Sequence, residues 1–297
     1  MKVFVTGASG FIGQVVVKEL LAHGYEVVGM TRSQSGVDLL SQMGAEPYLS
    51  TLQDLQGLAL NAQRCDAVIH TAFNHDFSTF VQNCQDDKQV VKTLGDALNG
   101  SEKPLIVTSG AFYTGLETNA PTGCKPLSSK VLPRVASDEA AHECATKGVK
   151  TIVVGLPQVH DTTKFGLVSN LFELAANSDF VGYVGEGDNL WSAAHRLDIA
   201  AVYRLALEKG RSGEKYLAVA EEALSFKSIA QAVAARLNLP LQSLDSEEAN
   251  AYFGPFARLA QETLNASGDY ARETLGWNPS GPTLFDDIVD AVVTLKS

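Results

Sequence analysis

The stretch Val3-Phe4-Val5-Thr6-Gly7-Ala8-Ser9-Gly10-Phe11-Ile12-Gly13 decides the fold of this 297-residue chain. A short β-branched run is followed at once by three glycines in the order G-x-x-G-x-x-G, and then by an amphipathic helical pattern. Glycines at this spacing permit a sharp turn and a close backbone approach to a pyrophosphate, which the free N–H groups of the helix N-terminus bind. An ordinary tight turn between strand and helix is the alternative explanation. The residues that we expect to contact a dinucleotide here are Gly7, Ser9, Gly10, Phe11, Ile12 and Gly13.

Four further apolar runs, at 26–30, 67–70, 105–109 and 151–156, are typical of buried strands, and helical patterns lie between them. Alternating strands and helices build a parallel sheet with helices on both faces, so the predicted fold class is α/β, a doubly wound Rossmann sheet. Ligands bind such sheets beyond the carboxyl ends of the strands. The site residues are therefore expected in the segments that follow these runs.

The pattern changes after Pro157 to mostly helical segments with one further strand candidate at 216–220. We predict a Rossmann domain over residues 1–160 and a smaller, mostly helical substrate-binding lobe over residues 161–297, interleaved with the main sheet around residues 196–225. The segment 114–133 is rich in Gly, Pro, Ser and Thr and is long for a loop in a compact domain. It is a candidate lid.

The charge balance disfavours two classes of partner. There are 23 Lys and Arg residues against 34 Asp and Glu, a formal net charge of -11 without a basic run, so neither nucleic acid nor an anionic membrane is an expected partner. The chain start lacks a signal-peptide pattern, and no apolar stretch has the roughly 18 residues of a membrane span. We expect a soluble cytoplasmic protein that acts on a small molecule. The cysteines, which lack CxxC spacing and so indicate neither a metal knuckle nor a disulfide scaffold, are Cys65, Cys84, Cys124 and Cys144.

The end of the second predicted strand, Thr31-Arg32-Ser33, indicates which dinucleotide binds. An acidic side chain at this place would bind the ribose hydroxyls of NAD, but no Asp or Glu lies between residues 30 and 35. Arg32 can bind a 2′-phosphate bidentately, with Thr31 or Ser33 as neutral donors, so the sequence predicts NADP(H) as the cofactor. A solvated surface arginine is the alternative explanation for Arg32.

Other motifs follow the remaining strand ends: His70-Thr71-Ala72-Phe73, Thr108-Ser109-Gly110 and Leu156-Pro157-Gln158-Val159-His160. With the glycine loop, they make the chain resemble the extended and atypical short-chain dehydrogenases/reductases, the NAD-dependent epimerase/dehydratase family. The later half resembles one atypical subgroup through Gly182-Tyr183-Val184-Gly185-Glu186-Gly187-Asp188-Asn189-Leu190-Trp191, His195 with Asp198, and Leu275-Gly276-Trp277-Asn278-Pro279. The resemblance covers nearly the whole chain and is much more specific for the fold than for the reaction.

The resemblance implies a role for several of these residues. Those that would line the cofactor are Thr71, Ala72 and Phe73, and those that would pass by the nicotinamide ring are Pro157, Gln158 and Val159. Ser109 falls where the family has the hydroxyl that binds the reacting oxygen, and Asp87 falls where most members have Asn. The resemblance also implies a homodimer formed through helices that flank the sheet.

The family's Tyr-x-x-x-Lys pair, in which the Tyr is the acid/base and the Lys lowers its pKa, has no counterpart at the expected place. Counting from Ser109 at the family's usual spacing leads to Arg134 for the Tyr and to Asp138 for the Lys. An alternative alignment leads to Val131 and Val135. No Tyr in the sequence is followed four residues later by Lys. The usual proton donor of a ketone reductase is therefore missing from the sequence.

Tyr113, four residues after Ser109, is the phenol nearest to the expected nicotinamide, and these two residues are our catalytic candidates. A packing role is the alternative for Tyr113. A substrate pocket is predicted from His75, Trp191 and His195, with a structural histidine as the alternative for both His residues. The six histidines lack metal-ligand spacing and no G-x-S-x-G elbow occurs, so neither a metal site nor a serine hydrolase is expected.

Three functions are consistent with these features. The first is an NADPH-dependent oxidoreductase that reduces a small carbonyl, imine or activated alkene, with the protein supplying orientation and a polar group. The second is an NAD(P)-dependent epimerase or dehydratase, which the missing Tyr and Lys weaken. The third is a sensor or scaffold that binds NADP(H) without turnover, which the missing pair favours and the retained Ser109 opposes.

Overall fold

The computed structural model describes residues 1–114, 125–126 and 128–292. Most of the predicted lid, and with it Cys124, lies outside these ranges. The chain divides into two compact units, each formed from three segments. The first unit comprises Met1–Leu156, Ile199–Ala218 and Gly268–Asn278, and the second comprises Pro157–Asp198, Val219–Ser267 and Pro279–Ser297. The later segments of the chain thus return to the first unit twice.

In chain order, the strands are β1 (Lys2–Thr6), β2 (Glu26–Thr31), β3 (Glu46–Leu49), β4 (Ala67–His70), β5 (Leu105–Gly110), β6 (Tyr113–Thr114), β7 (Lys125–Pro126), β8 (Thr151–Leu156), β9 (Gln158–Asp161), β10 (Lys164–Phe165), β11 (Val181–Val184), β12 (Leu190–His195), β13 (Lys215–Leu217), β14 (Glu221–Ser225) and β15 (Leu241–Leu244). The α-helices are α1 (Gly13–Ala22), α2 (Gln34–Met43), α3 (Leu55–Arg64), α4 (Phe80–Leu98), α5 (Ala136–Thr146), α6 (Ser169–Ala175), α7 (Arg196–Lys209), α8 (Phe226–Leu237), α9 (Ser246–Phe253), α10 (Ala257–Gln261), α11 (Asp269–Leu275) and α12 (Leu284–Val289).

The first unit is built on a seven-stranded parallel sheet with the order β13-β8-β5-β4-β1-β2-β3. All the strands predicted for this sheet are present, and the doubly wound α/β class is confirmed. The edge strand β3 was not predicted, because its sequence Glu46-Pro47-Tyr48-Leu49 has no β-branched residue and contains a proline. Proline is tolerated at the edge of a sheet, where one side of the strand makes no ladder.

Helices cover both faces of this sheet. On one face, Phe4 of β1 shares a buried core with Leu94 of α4 and Ala140 of α5. Val107 of β5 belongs to the same core. Successive side chains along a strand point to opposite faces, so the next residue, Thr108, points to the other face of the sheet. There its Oγ1 atom lies 2.6 Å from the hydroxyl of Tyr203 in α7. The carboxyl ends of β1, β4 and β5 therefore lie side by side between two layers of helices.

The second unit contains two small sheets besides its helices. One has four strands in the order β10-β9-β12-β14, and the other pairs β11 with β15 in parallel. Trp191 of β12 is fully buried, with the rings of Phe226 and Phe256 edge-on to it at 5.0 and 6.2 Å. These aromatic side chains form the centre of the unit. In the parts of the chain that the structure describes, no helix is long and apolar enough to cross a membrane.

Candidate active site

The glycine loop between β1 and α1 leaves no space for side chains where the backbone turns. Gly7 has a φ of +66°, and a Cβ atom there would lie 2.8 Å from the backbone of Ala72. A Cβ atom on Gly13 would collide with the carbonyl oxygen of Gly7. Among the described residues, no side chain caps the N-terminus of α1, and its first turn has no acidic residue. The loop therefore fits a pyrophosphate group that approaches the backbone closely.

The residues predicted to bind a 2′-phosphate lie where β2 ends and α2 begins. Thr31 is buried, and its Oγ1 atom lies 2.7 Å from Ser9 Oγ in the glycine loop. Ser33 is the N-cap of α2 and accepts a hydrogen bond from the backbone N–H of Gly36 at 3.1 Å. Arg32 is exposed and has no ion-pair or hydrogen-bond partner among the described residues. Its guanidinium group is thus at the surface beside a helix N-terminus.

A buried polar network joins β1, β4 and α4. Thr6 Oγ1 lies 2.7 Å from His70 Nδ1, and His70 Nε2 lies 3.0 Å from Asp87 Oδ1. The Thr71 hydroxyl donates a hydrogen bond to the carbonyl oxygen of Thr6 at 2.7 Å. Thr6, His70 and Asp87 are almost completely buried. The network therefore fixes the segment that follows β4 against the glycine loop.

Arg134, just before α5, extends this network to the end of β5. Its Nη1 atom lies 3.3 Å from Asp87 Oδ2 and donates to the hydroxyl of Ser137, while Nη2 donates to the carbonyl oxygen of Thr108 at 3.1 Å. The guanidinium lies over the ring of Phe73, with its carbon atom 4.4 Å from the ring centroid. Arg134 is thus held on one edge by hydrogen bonds and on one face by an aromatic ring.

These surroundings determine the charge of Asp87. Burial raises the pKa of its carboxyl group, but the charge and hydrogen bond of His70, the charge of Arg134 and the hydrogen bond from Ser137 outweigh burial. The pKa of Asp87 consequently lies below its ordinary value. The carboxylate is therefore ionised at neutral pH, which explains how the buried position tolerates Asp.

A second buried cluster lies at the end of β5 and comprises Ser109, Asp138 and Lys215. The Ser109 hydroxyl donates a hydrogen bond to Asp138 Oδ2, and Lys215 Nζ lies 2.6 Å from Asp138 Oδ1. Lys215 Nζ also donates to the carbonyl oxygen of Tyr113 at 2.7 Å and lies 3.4 Å from Ser109 Oγ. The side chains of Lys215 and Asp138 are only 1% and 2% exposed. An ammonium group and a carboxylate therefore meet at the hydroxyl that the resemblance singled out.

Lys215 was not predicted as a site residue, although it begins a strand whose other residues are apolar. Lys215 lies on β13, and its side chain passes Gly155 of β8 to reach β5. A Cβ atom on Gly155 would lie 3.1 Å from Lys215 Cε and 2.7 Å from Leu217 Cδ2. Glycine at this position leaves space for the aliphatic part of the lysine. A lysine at the start of a buried strand was the signal that could have been used.

Arg134 and Asp138, the two residues reached by counting from Ser109, both extend their side chains to the end of β5. Asp138 accepts the hydrogen bond from Ser109, and Arg134 donates to the preceding carbonyl group, that of Thr108. The two residues of the alternative alignment differ, since Val131 is exposed and Val135 is buried. The register with Arg134 and Asp138 thus brings polar groups to the site.

Tyr113 and His75, both predicted for the site, belong to the same unit. Tyr113 is half-buried, and its carbonyl oxygen accepts the hydrogen bond from Lys215. His75 is exposed, and its ring lies edge-on to Phe73 with 5.1 Å between the ring centroids. Tyr113 thus lies at the Ser109 cluster, and His75 lies beside Phe73, the residue whose ring Arg134 covers.

The other predicted residues belong to the second unit, which begins at Pro157. Gln158 and Val159 are buried in β9, and Gln158 Oε1 accepts a hydrogen bond from the backbone of Leu167 at 2.8 Å. Burial lowers the pKa of His195, although the charge of Asp287 opposes this effect. Trp191 is a core residue whose Nε1 donates to a backbone carbonyl at 3.0 Å. The roles expected for these residues in binding cofactor or substrate stay predictions.

No group of three or more His, Cys, Asp or Glu side chains within the described ranges is arranged to hold a metal ion. A cavity of about 10 Å³ lies beside the Ser109 cluster, and its lining combines Asp138, His142, Thr151 and Lys215 with Ala141, Val153 and Gly213. Such a volume is close to the minimum that holds one water molecule. His142 is exposed, so this cavity lies between the buried ion pair and the surface of α5.

Fold and site together define a nicotinamide-dinucleotide-dependent α/β enzyme of the extended short-chain dehydrogenase type. The profile of the NAD dependent epimerase/dehydratase family matches residues 3–219, and the chain belongs to this family. An uncharacterized protein of Schizosaccharomyces pombe is 38% identical over 289 residues, which are 97% of this chain and 98% of that one. The family's enzymes depend on a nicotinamide cofactor, and the glycine loop is where this chain would hold it.

Two further similarities describe the range of the family. A sterol-4-alpha-carboxylate 3-dehydrogenase, decarboxylating, of Dictyostelium discoideum is 31% identical over 224 residues, which are 70% of this chain and 68% of that one. The solved structure of a dTDP-glucose 4,6-dehydratase from Streptomyces venezuelae, with NAD bound, has a TM-score of 0.76 at 18% identity and covers 98% of this chain and 96% of its own. The second similarity supports the fold alone.

Proposed function

We propose that the protein is an NADPH-dependent oxidoreductase that reduces a small carbonyl compound. The observation that carries this proposal is the Ser109–Asp138–Lys215 cluster, in which a hydroxyl, a carboxylate and an ammonium group meet at the end of β5. The dehydrogenase name of the Dictyostelium relative supports redox chemistry. Without this cluster, the site would bind a cofactor but would lack a protonated group beside the reacting oxygen.

NADPH is favoured over NADH by the surroundings of Arg32. Its exposed guanidinium follows β2, and the hydroxyls of Ser33 and Ser35 lie 3.1 Å apart at the start of α2. A 2′-phosphate placed there would meet a guanidinium, two hydroxyls and the positive end of a helix dipole. A ribose hydroxyl of NADH would find no carboxylate among residues 30–35.

The proton for the reaction would come from Ser109. NADPH held at the glycine loop would supply the hydride. The Ser109 hydroxyl, which donates to Asp138 in the free protein, would turn to the carbonyl oxygen of the substrate and pass its proton to that oxygen, and Lys215 Nζ, 3.4 Å from Ser109 Oγ, would restore the proton to Ser109. The other oxygen of Asp138 would hold Lys215 in place. A water in the cavity beside His142 would return a proton to Lys215.

Tyr113 is proposed as a second polar group of the site. Its backbone carbonyl holds Lys215, so the residue lies beside the proton donor whatever the phenol does. The phenol would then bind the substrate oxygen together with Ser109. This arrangement divides between two residues the work that a single tyrosine does in most of the family.

The test combines a substrate screen with a binding titration. NADPH oxidation is measured with aldehydes, ketones, quinones, imines and enones, and NADPH binding is measured by calorimetry. We expect turnover of at least one carbonyl class and a loss of about 10²- to 10³-fold in kcat for Ser109→Ala, as for removal of a general acid. Ser41→Ala, an exposed serine on α2, is the matched control and should be unchanged.

Two results would contradict the proposal. If NADPH bound tightly but none of the compound classes in the screen oxidised it, the protein would be a sensor or scaffold. Conversion of a sugar nucleotide without net NADPH oxidation would indicate epimerase or dehydratase chemistry.

A further inference from the structure

Arg134 is a cation that is fixed in place before any substrate binds. Three of its N–H donors are used, by Asp87, Ser137 and the carbonyl oxygen of Thr108. The ring of Phe73 covers one face of the guanidinium at 4.4 Å. Fixing the side chain in the free protein removes most of the conformational entropy that binding would otherwise cost.

The opposite edge of the same guanidinium has no partner in the described part of the chain. An arginine side chain has five N–H donors, so the one on Nε and one on Nη2 remain. These two atoms form one edge of the planar group and match the two oxygens of a carboxylate. The side chain is 22% exposed, whereas that of its partner Asp87 is 1% exposed. The bonded edge is thus buried, and the side chain retains contact with solvent.

An arginine cannot take over the acid/base role of the tyrosine that most of the family has at this position. A guanidinium group is not deprotonated in proteins, so it cannot release a proton to an alkoxide. The remaining role at the end of β5 is to bind an anion or a polar oxygen. Asp87 neutralises part of the charge, so a ligand must gain its affinity from two directed hydrogen bonds.

We infer that Arg134 binds a carboxylate on the substrate, and that the substrates are short oxo acids. The inference rests on the proposed reductase function. Arg134 Nη2 is bonded to the carbonyl oxygen of Thr108, and the adjacent residue, Ser109, holds the reacting oxygen in the proposed reaction. Arg134 and Ser109 thus meet at the end of the same strand, and a short oxo acid presents its carboxylate and its ketone close together. A 2-oxo or a 3-oxo acid is the simplest compound of this kind.

The test compares acids with their methyl esters, using the full chain and NADPH. The probes are pyruvate and methyl pyruvate, and acetoacetate and methyl acetoacetate. We expect kcat/KM to be higher for the acid of a pair, and Arg134→Met to lower it about 100-fold for the acid while changing the ester little. Arg134→Lys keeps the charge without the two-pronged geometry and should raise KM for the acid with a smaller effect on kcat. Arg258→Met, whose side chain is 73% exposed, is the matched control.

A binding measurement separates this inference from the proposed function. Oxamate and malonate, which have carboxylates and are not reduced, are titrated into the NADPH complexes of the wild type, of Arg134→Met and of Arg134→Lys. Binding that depends on Arg134 supports the inference even if no compound is reduced, a result that would overturn the proposed function alone. Equal use of acids and esters by the wild type, or an acid preference and oxamate binding that survive in both Arg134 variants, would overturn the inference.

Discussion

Lys215 Nζ lies 2.6 Å from Asp138 Oδ1, and neither side chain is more than 2% exposed. Two charges are thus held in the interior of the first unit, beside a serine hydroxyl at the end of a parallel strand. Removing ions from water costs several kcal/mol each, and an ion pair repays this only with good geometry and further hydrogen bonds. Tyr113 and Ser109 supply those bonds. The cost of the arrangement is consistent with a role in the reaction.

The first prediction concerns the stability of this pair. Lys215→Met should lower the free energy of unfolding by about 3–5 kcal/mol, because the buried carboxylate of Asp138 loses its partner. The double variant Lys215→Met with Asp138→Leu should recover most of the loss. Urea denaturation measures both. The control is Lys88→Met, whose pair with Glu139 is 23% exposed on each side and should contribute at most about 1 kcal/mol. Equal losses for Lys88→Met and Lys215→Met would contradict the prediction.

The second prediction is a pH dependence that comes from Asp87. Its pKa is below the ordinary 3.8 in the folded protein, so its contribution to stability is present above that pH and is lost as the pH falls through the lower, folded value. Asp87→Asn should therefore flatten the acid side of the curve of unfolding free energy against pH, measured between about pH 6 and 2.5. Asp38→Asn, at an exposed position on α2, should leave it unchanged. If the acid side of this curve were equally steep in Asp87→Asn and in the wild type, the pH dependence would not come from Asp87.

The third prediction concerns the choice of cofactor. Arg32→Ala should weaken NADPH binding by about 10- to 100-fold, the loss of one or two charge-assisted hydrogen bonds, and leave NADH binding unchanged. Calorimetric titration with each cofactor gives the affinity ratio. If the ratio stayed the same, Arg32 would be a solvated surface residue and the preference for NADP(H) would be wrong.

The fourth prediction separates backbone strain from steric exclusion in the glycine loop. Gly7→Ala should abolish NADPH binding, because the added methyl group would lie 2.8 Å from the backbone of Ala72 and would displace the loop. Gly24 has a φ of +79° but nothing within 4 Å of an added Cβ. Gly24→Ala should therefore cost only the about 1–2 kcal/mol of a left-handed conformation, with full cofactor binding. If the two variants bound NADPH equally well, the close packing of Gly7 against Ala72 would not be what NADPH binding requires.

The fifth prediction concerns Tyr113. Tyr113→Phe keeps the backbone carbonyl that holds Lys215, so the unfolding temperature should not change. If the phenol binds the reacting oxygen, kcat should fall about 10²-fold with little change in the affinity for NADPH. Steady-state rates with the best carbonyl substrate measure this. A fully active variant would remove the phenol from the mechanism and leave Ser109 as the proton donor.

Most of the features that could be predicted from the sequence depend on residues that are close together along the chain. The strand ends and the glycine loop were evident because glycine spacing and β-branched runs act within a few residues, and the loop glycines do have the geometry expected of them. The edge strand β3 was missed because its sequence, with Pro47 inside it, carries no strand pattern. Its position depends on pairing with β2, a contact that no local signal encodes.

The sequence by itself determined the α/β class, the glycine loop and the unusual identities of Arg134 and Asp138. Only the tertiary structure decided what these two residues do, because their partners lie far away along the chain. Asp138 meets Lys215 across 77 residues, and Arg134 meets Asp87 across 47. A buried charge requires a partner, but the sequence does not say which one. The parallel sheet selects it by bringing β13 and β5 to either side of β8, so that one lysine reaches the end of a strand on which it does not lie.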